Sequence, residues 1–98
     1  MFKEMYPHDD LENLAEELVF EEIHRLIETR EPDFPADEIS ILDIAAIALN
    51  HMPPKYVSSL IEKNNPHDGL VAEVKDLKRY ARRQVFRALD KVRKHPHT

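Results

Sequence analysis

Leu70, Val74, Leu77, Ala81, Val85, Ala88, Leu89 and Val92 recur at the 3.6-residue period of an α-helix. This stripe, about six turns long, constrains the fold more than any other feature of the chain. It predicts one long helix that starts at Asp68 or soon after and ends before the tail His-Pro-His-Thr. Lys75, Lys78, Arg79, Arg82, Arg83 and Arg87 take the remaining positions. A helix with one apolar stripe must bury it against other elements. The chain has 98 residues, enough for one domain, so those elements come from the same core or from a second copy.

Two further helices are predicted. Leu11, Leu14, Leu18, Ile23, Leu26 and Ile27 hold helical spacing from about Leu11 to Thr29, with Ala15 and Val19 on the shoulder. Asp9 to Glu12 reads as a capping box at its start. Glu12, Glu16, Glu17, Glu21 and Glu22 are assigned to its outer face. Two prolines then make Glu31 to Glu38 a loop, with Phe34 tucked inward. The second helix begins near Asp37–Ser40 and must stop before Pro53. It is apolar almost all round, which fits a surrounded helix or one in a dimer interface. Residues 55–60 are ambiguous, with an extended or turn segment near Tyr56 and a helical turn after it. Asn64 to Gly69 reads as a loop. Residues 1–8 and 95–98 read as frayed tails. The expected fold class is all-α, with three long helices plus one short irregular or helical element.

Composition removes several function classes. Gly69 is the one glycine, which excludes glycine-rich phosphate loops. With no cysteine there is no disulfide, thiol nucleophile or thiolate metal site. None of the six histidines forms an HxxxH or HExxH pair, so they read as solvated or core-satisfied residues and not as metal ligands. No apolar run is long enough to span a bilayer and no signal-peptide pattern is present, so the expected location is the cytoplasm. No serine, threonine or lysine sits in a recognisable nucleophile context, and the carboxylates line a surface stripe. An enzyme is not expected.

Charge is uneven. Residues 1–50 hold 14 acids and 3 bases, whereas residues 72–98 hold 9 bases and 3 acids. Arg79, Arg82 and Arg83 with Tyr80 offer bidentate phosphate contacts and a stacking ring. A solvated basic face balancing the acidic helix is the plainer alternative. A pI near 5.6 argues against duplex nucleic acid as the partner. Lys55 and Tyr56, with Ser58 and Ser59, add a cation, a ring and two hydroxyls after Pro53-Pro54.

The stretch "DIAAIALNHMPPKYV", Asp43 to Val57, resembles the hallmark of the ComFB family, the late-competence-development proteins. Asp43, Ala48, Leu49, Asn50, Pro53, Pro54, Lys55 and Tyr56 match it. The resemblance covers most of the chain, sparsely outside the hallmark. It implies a small helical, dimeric, cytoplasmic protein without enzyme activity. It further implies a receptor for cyclic dinucleotides, cyclic di-GMP and in some cases cyclic di-AMP, linked to competence, motility and pilus-related behaviour. Several members bind zinc through cysteines before the hallmark helix. Positions 33 to 38 here read Asp-Phe-Pro-Ala-Asp-Glu, so zinc does not carry over and no cofactor is expected. Phe34, Pro35 and a cap from Asp37 or Ser40 would pin the loop instead. The candidate ligand residues are Asn50, Lys55, Tyr56, Arg79, Arg82 and Arg83. The reading is a homodimeric cyclic-dinucleotide receptor that relays its signal to an unidentified partner protein. The alternative is a protein–protein adaptor with no nucleotide.

Overall fold

The computed structural model describes residues 2–6, 11–29, 34–58 and 68–94. Three helices carry the fold: α1 (Leu14–Glu28), α2 (Glu38–Asn50) and α3 (Asp68–Lys94). A 3-10 turn at Phe2–Met5 precedes them, in part of the segment expected to fray. Two short strands, β1 (Glu12–Asn13) and β2 (Tyr56–Val57), pair antiparallel with Glu12 opposite Val57 and Asn13 opposite Tyr56. The all-α expectation stands, with this two-stranded clasp as its addition. The expected 64–69 loop lies outside the described residues up to the start of α3. The helical turn expected after Tyr56 and the 95–98 tail lie outside them too.

Each helix packs on the other two. Leu26, Ile44, Leu89, Val19 and Val85 are the largest side chains in the fully buried centre. Five buried alanines, Ala15, Ala45, Ala48, Ala81 and Ala88, lie among them and come from all three helices. Small residues at helix contacts let the backbones approach closely. That is how so small a chain encloses a fully buried centre. Ala15 and Val19 belong to this centre and not to the shoulder: both are fully buried, on a helix that packs against α2 and α3 alike.

The α3 stripe is as predicted. Leu70, Leu77, Ala81, Val85, Ala88, Leu89 and Val92 are buried, and Val74 packs half-buried against the core. For α2, the Asp37 carboxylate accepts from the Ser40 amide at 2.9 Å, so the expected cap is Asp37. Phe34 does tuck inward and packs on the core. The helix stops at Asn50 ahead of the prolines, with His51 and Met52 amides donating to the Ala48 and Leu49 carbonyls. These tight last bonds satisfy carbonyls that the helix end leaves open.

The start of α1 differs from expectation. Leu11 to Asn13 are extended or in β1, and Asn13 is the N-cap. Its side-chain oxygen accepts from the Ala15 amide at 3.1 Å. The proposed Asp9–Glu12 box therefore does not open the helix; Glu12 and Asn13, expected in its first turn, are drawn into the clasp with β2. Glu22 is a second correction. It was assigned to the outer face, yet it is only 5% exposed. It sits four residues from both Leu18 and Leu26, in the middle of the apolar row. Its carboxylate survives there because Arg25 grips both oxygens, at 3.1 and 2.6 Å, and Arg82 of α3 stands at 3.6 Å.

Candidate functional site

The hallmark turn is built backwards from Asn13. Pro53 and Pro54 have no backbone N–H, so the first donor after them is Lys55. That amide donates to the Asn13 side-chain oxygen at 2.9 Å. The Lys55 carbonyl in turn accepts from the Leu14 amide at 2.7 Å. One asparagine therefore caps α1 and clamps the hallmark turn to it. Strand alternation then sends consecutive side chains to opposite faces. Val57 is buried and Tyr56 is exposed.

On the Lys55 side, the turn faces α3. Pro53, Pro54 and Lys55 line a cavity of about 240 Å³ together with Glu73, Asp76, Leu77 and Tyr80. Lys55 is ion-paired there with Glu73 at 2.6 Å. Arg83 lies over the Tyr80 ring, 5.6 Å from its centroid, a cation–π contact one helical turn along α3. On the other side, Tyr56 and Phe20 line a larger cavity of about 530 Å³ whose charges are Lys3, Glu12, Glu16 and Glu17.

The six candidate residues thus fall into separate places. Lys55 shares a cavity with Tyr80, and Arg83, which does not line that cavity, lies over the Tyr80 ring. Tyr56 looks into the acidic cavity beside α1. Arg82 is turned toward Glu22 and lines a third cavity with Lys78 and His24. Arg79 is exposed and makes no ion pair with a described residue. Asn50 is exposed at the end of α2. One chain does not gather all six into one pocket. Asn13 is the organising residue that sequence reasoning missed, whereas Tyr80, expected as a ring beside the arginines, does lie under Arg83. Asn13 carried a usable signal: asparagine is among the preferred N-caps, and a regular apolar row follows it.

Among the described residues no three His, Cys, Asp or Glu side chains cluster as a metal site. No described helix is long and apolar enough to cross a membrane.

What the geometry defines is a small three-helix domain in which an extended Pro-Pro-Lys-Tyr turn is clamped onto the first helix and faces the basic third one. The chain belongs to the ComFB family: the model for "Late competence development protein ComFB" matches residues 12–96. That match spans the clasp and all three helices. The curated proteins contain no match to the chain.

Proposed function

We propose that the protein is a non-enzymatic receptor for a cyclic dinucleotide, cyclic di-GMP or cyclic di-AMP, that acts in the cytoplasm as a homodimer and passes the signal to a partner protein. Membership of a competence-associated family supports a regulatory role. The observation that carries the ligand class is the exposed turn Arg79–Arg83 with Tyr80 beside the hallmark turn. Guanidinium groups bind phosphates in bidentate fashion, and a ring already stacked on Arg83 has a face suited to a base. Because the candidate residues are spread over one chain, the reading draws on two chains.

The dimer surface assigned by this reading is the outer row of α2. Ile39 and Leu42 are 65% and 54% exposed, and Ala46 and Asn50 continue the row at helical spacing. Such a row carries no charge and is self-complementary about a two-fold axis. Ligand would act by favouring one arrangement of the hallmark turn against α3 over another.

Isothermal titration of the purified protein with each dinucleotide tests the reading. Saturable heat is expected, with loss in Arg79→Ala and Arg83→Ala proteins that remain folded. Absence of heat and of any thermal shift with both ligands would sink it. The adaptor alternative has its own supporting observation, the acidic, aromatic cavity around Tyr56 and Phe20, which suits a cationic segment of a partner. Under that reading the two arginine variants leave nothing to lose in the titration and weaken dimer or partner binding instead.

A further inference from the structure

A second basic locus lies further along α3, away from the hallmark turn. Gln84, Arg87, Lys91 and Lys94 are spaced three, four and three residues apart, so they form one row on the helix. With Ile47 and His51 at the end of α2 they line a cavity of about 340 Å³, within the size range of small-molecule sites. None of these residues is among the candidates above.

The chemistry of this cavity is that of an anion site. Arg87, Lys91 and Lys94 are cations, and Asp90 is the one carboxylate on its wall. Asp90 is already paired with Lys94 at 3.0 Å. Arg87 and Lys91 make no ion pair with a described residue. Apart from His51, three cations against one anion leave a local charge of +2. That charge matches the dianion of a phosphate monoester.

Gln84 supplies the independent observation. It is 6% exposed, one of only two polar side chains buried to this degree among the described residues. The other, Glu22, is held by arginine. The Gln84 amide lines the cavity, and no hydrogen bond joins it to a described residue. Its side-chain atoms are not among the fully enclosed unpartnered ones, so the amide opens to the cavity and its donors are available there. At the end of α2, one open carbonyl is already occupied. The His51 Nδ1 stands 2.9 Å from the Ile47 carbonyl oxygen, which can only accept, so Nδ1–H donates. This removes one open acceptor from a helix end that would otherwise repel negative charge.

We infer that the cavity between the end of α2 and the last turns of α3 binds the phosphoryl group of a small organic phosphate, with Arg87 and Lys91 as the charged grips and Gln84 as the neutral donor on its floor. The inference is independent of the cyclic-dinucleotide reading, since it uses none of the same side chains.

The test is nuclear magnetic resonance on the full-length, isotopically labelled chain, titrated at constant ionic strength. Inorganic phosphate, adenosine 5′-monophosphate and cyclic di-GMP are the three probes. Saturable shifts at the Gln84 side-chain amide and the Arg87 Nε–H are expected with phosphate, and tighter ones with the monophosphate. Both cations are exposed, so the Arg87→Ala/Lys91→Ala protein keeps its fold, which far-ultraviolet circular dichroism checks. Each lost cation should weaken phosphate binding about tenfold. Lys75→Ala, on another face of α3, should change nothing. Equal affinity for phosphate and the monophosphate would keep the phosphoryl site and overturn the organic-ligand part. Shifts that rise linearly with phosphate, or that survive in the double variant, would overturn the site. Cyclic di-GMP shifts at Tyr80 and Arg83 with none at Gln84 would leave the proposed receptor function standing whatever the outcome here.

Discussion

Replacing Asn13 by Ala removes one side-chain oxygen and two hydrogen bonds. The first caps α1 through the Ala15 amide, and the second holds the Lys55 amide across 42 residues of chain. Loss of an N-cap to Ala costs about 1 kcal/mol. A part-buried amide left without its acceptor costs about 1 kcal/mol more. Asn13→Ala should therefore destabilise the protein by about 2 kcal/mol, a large share of what a domain of this size has. Urea unfolding followed at 222 nm should show a midpoint lowered by about 1–2 M with an unchanged slope. Asn13→Asp keeps an acceptor of the same reach. Its charge suits a helix start but meets Glu12, Glu16 and Glu17 nearby, so it should stay within about 0.5 kcal/mol of the parent. Hydrogen exchange adds a local reading: the Lys55 amide should lose protection in the Ala protein and keep it in the Asp protein. If Ala costs under about 0.5 kcal/mol, or if Asp falls as far as Ala, the double role of Asn13 is wrong.

Other outcomes follow from the same coordinates. Leu42→Glu places a charge in the exposed α2 row and should convert a dimer to a monomer by light scattering, with little change in helix content; a mass that stays dimeric removes α2 as the seam. Glu22→Gln keeps the shape but breaks a charge-assisted grip by Arg25, with Arg82 nearby. It should cost about 1–2 kcal/mol in urea unfolding, and an unaffected midpoint would mean the arginines do not hold that carboxylate in solution.

The helices were legible because their information is local and repeated. From Leu70 to Val92 every turn of α3 restates the same stripe, and burial follows it. Asp37 and Pro53 mark the ends of α2 by plain backbone chemistry, a carboxylate acceptor at one end and a residue that disfavours helix before it at the other. The clasp was not legible. Two residues per strand carry no alternation to read, and the partner of Asn13 lies far along the chain. Glu22 was misplaced because glutamate was read by its residue type, although its register pointed inward. The candidate site shows the same division. Residue types named the arginines, Tyr80 and Lys55, but only packing reveals that Lys55 is already engaged by Glu73 and that Arg83 is the arginine over the Tyr80 ring.

The Asn13–Lys55 clamp closes a loop that contains α1 and α2 whole and leaves α3 outside it. Closing a loop of this length is an entropic cost that local helix formation does not offset. The tie is therefore a late event in folding and an early one in opening. Lifting the turn breaks the Asn13–Lys55 and Leu14–Lys55 bonds and the short strand pairing, while the Asn13 cap on Ala15 and all three helices can stay as they are. The Pro-Pro-Lys-Tyr turn is thus the part of the fold that can part from α1 without disturbing the core, and whatever grips Lys55 or Tyr56 acts on an element tied down by a few hydrogen bonds.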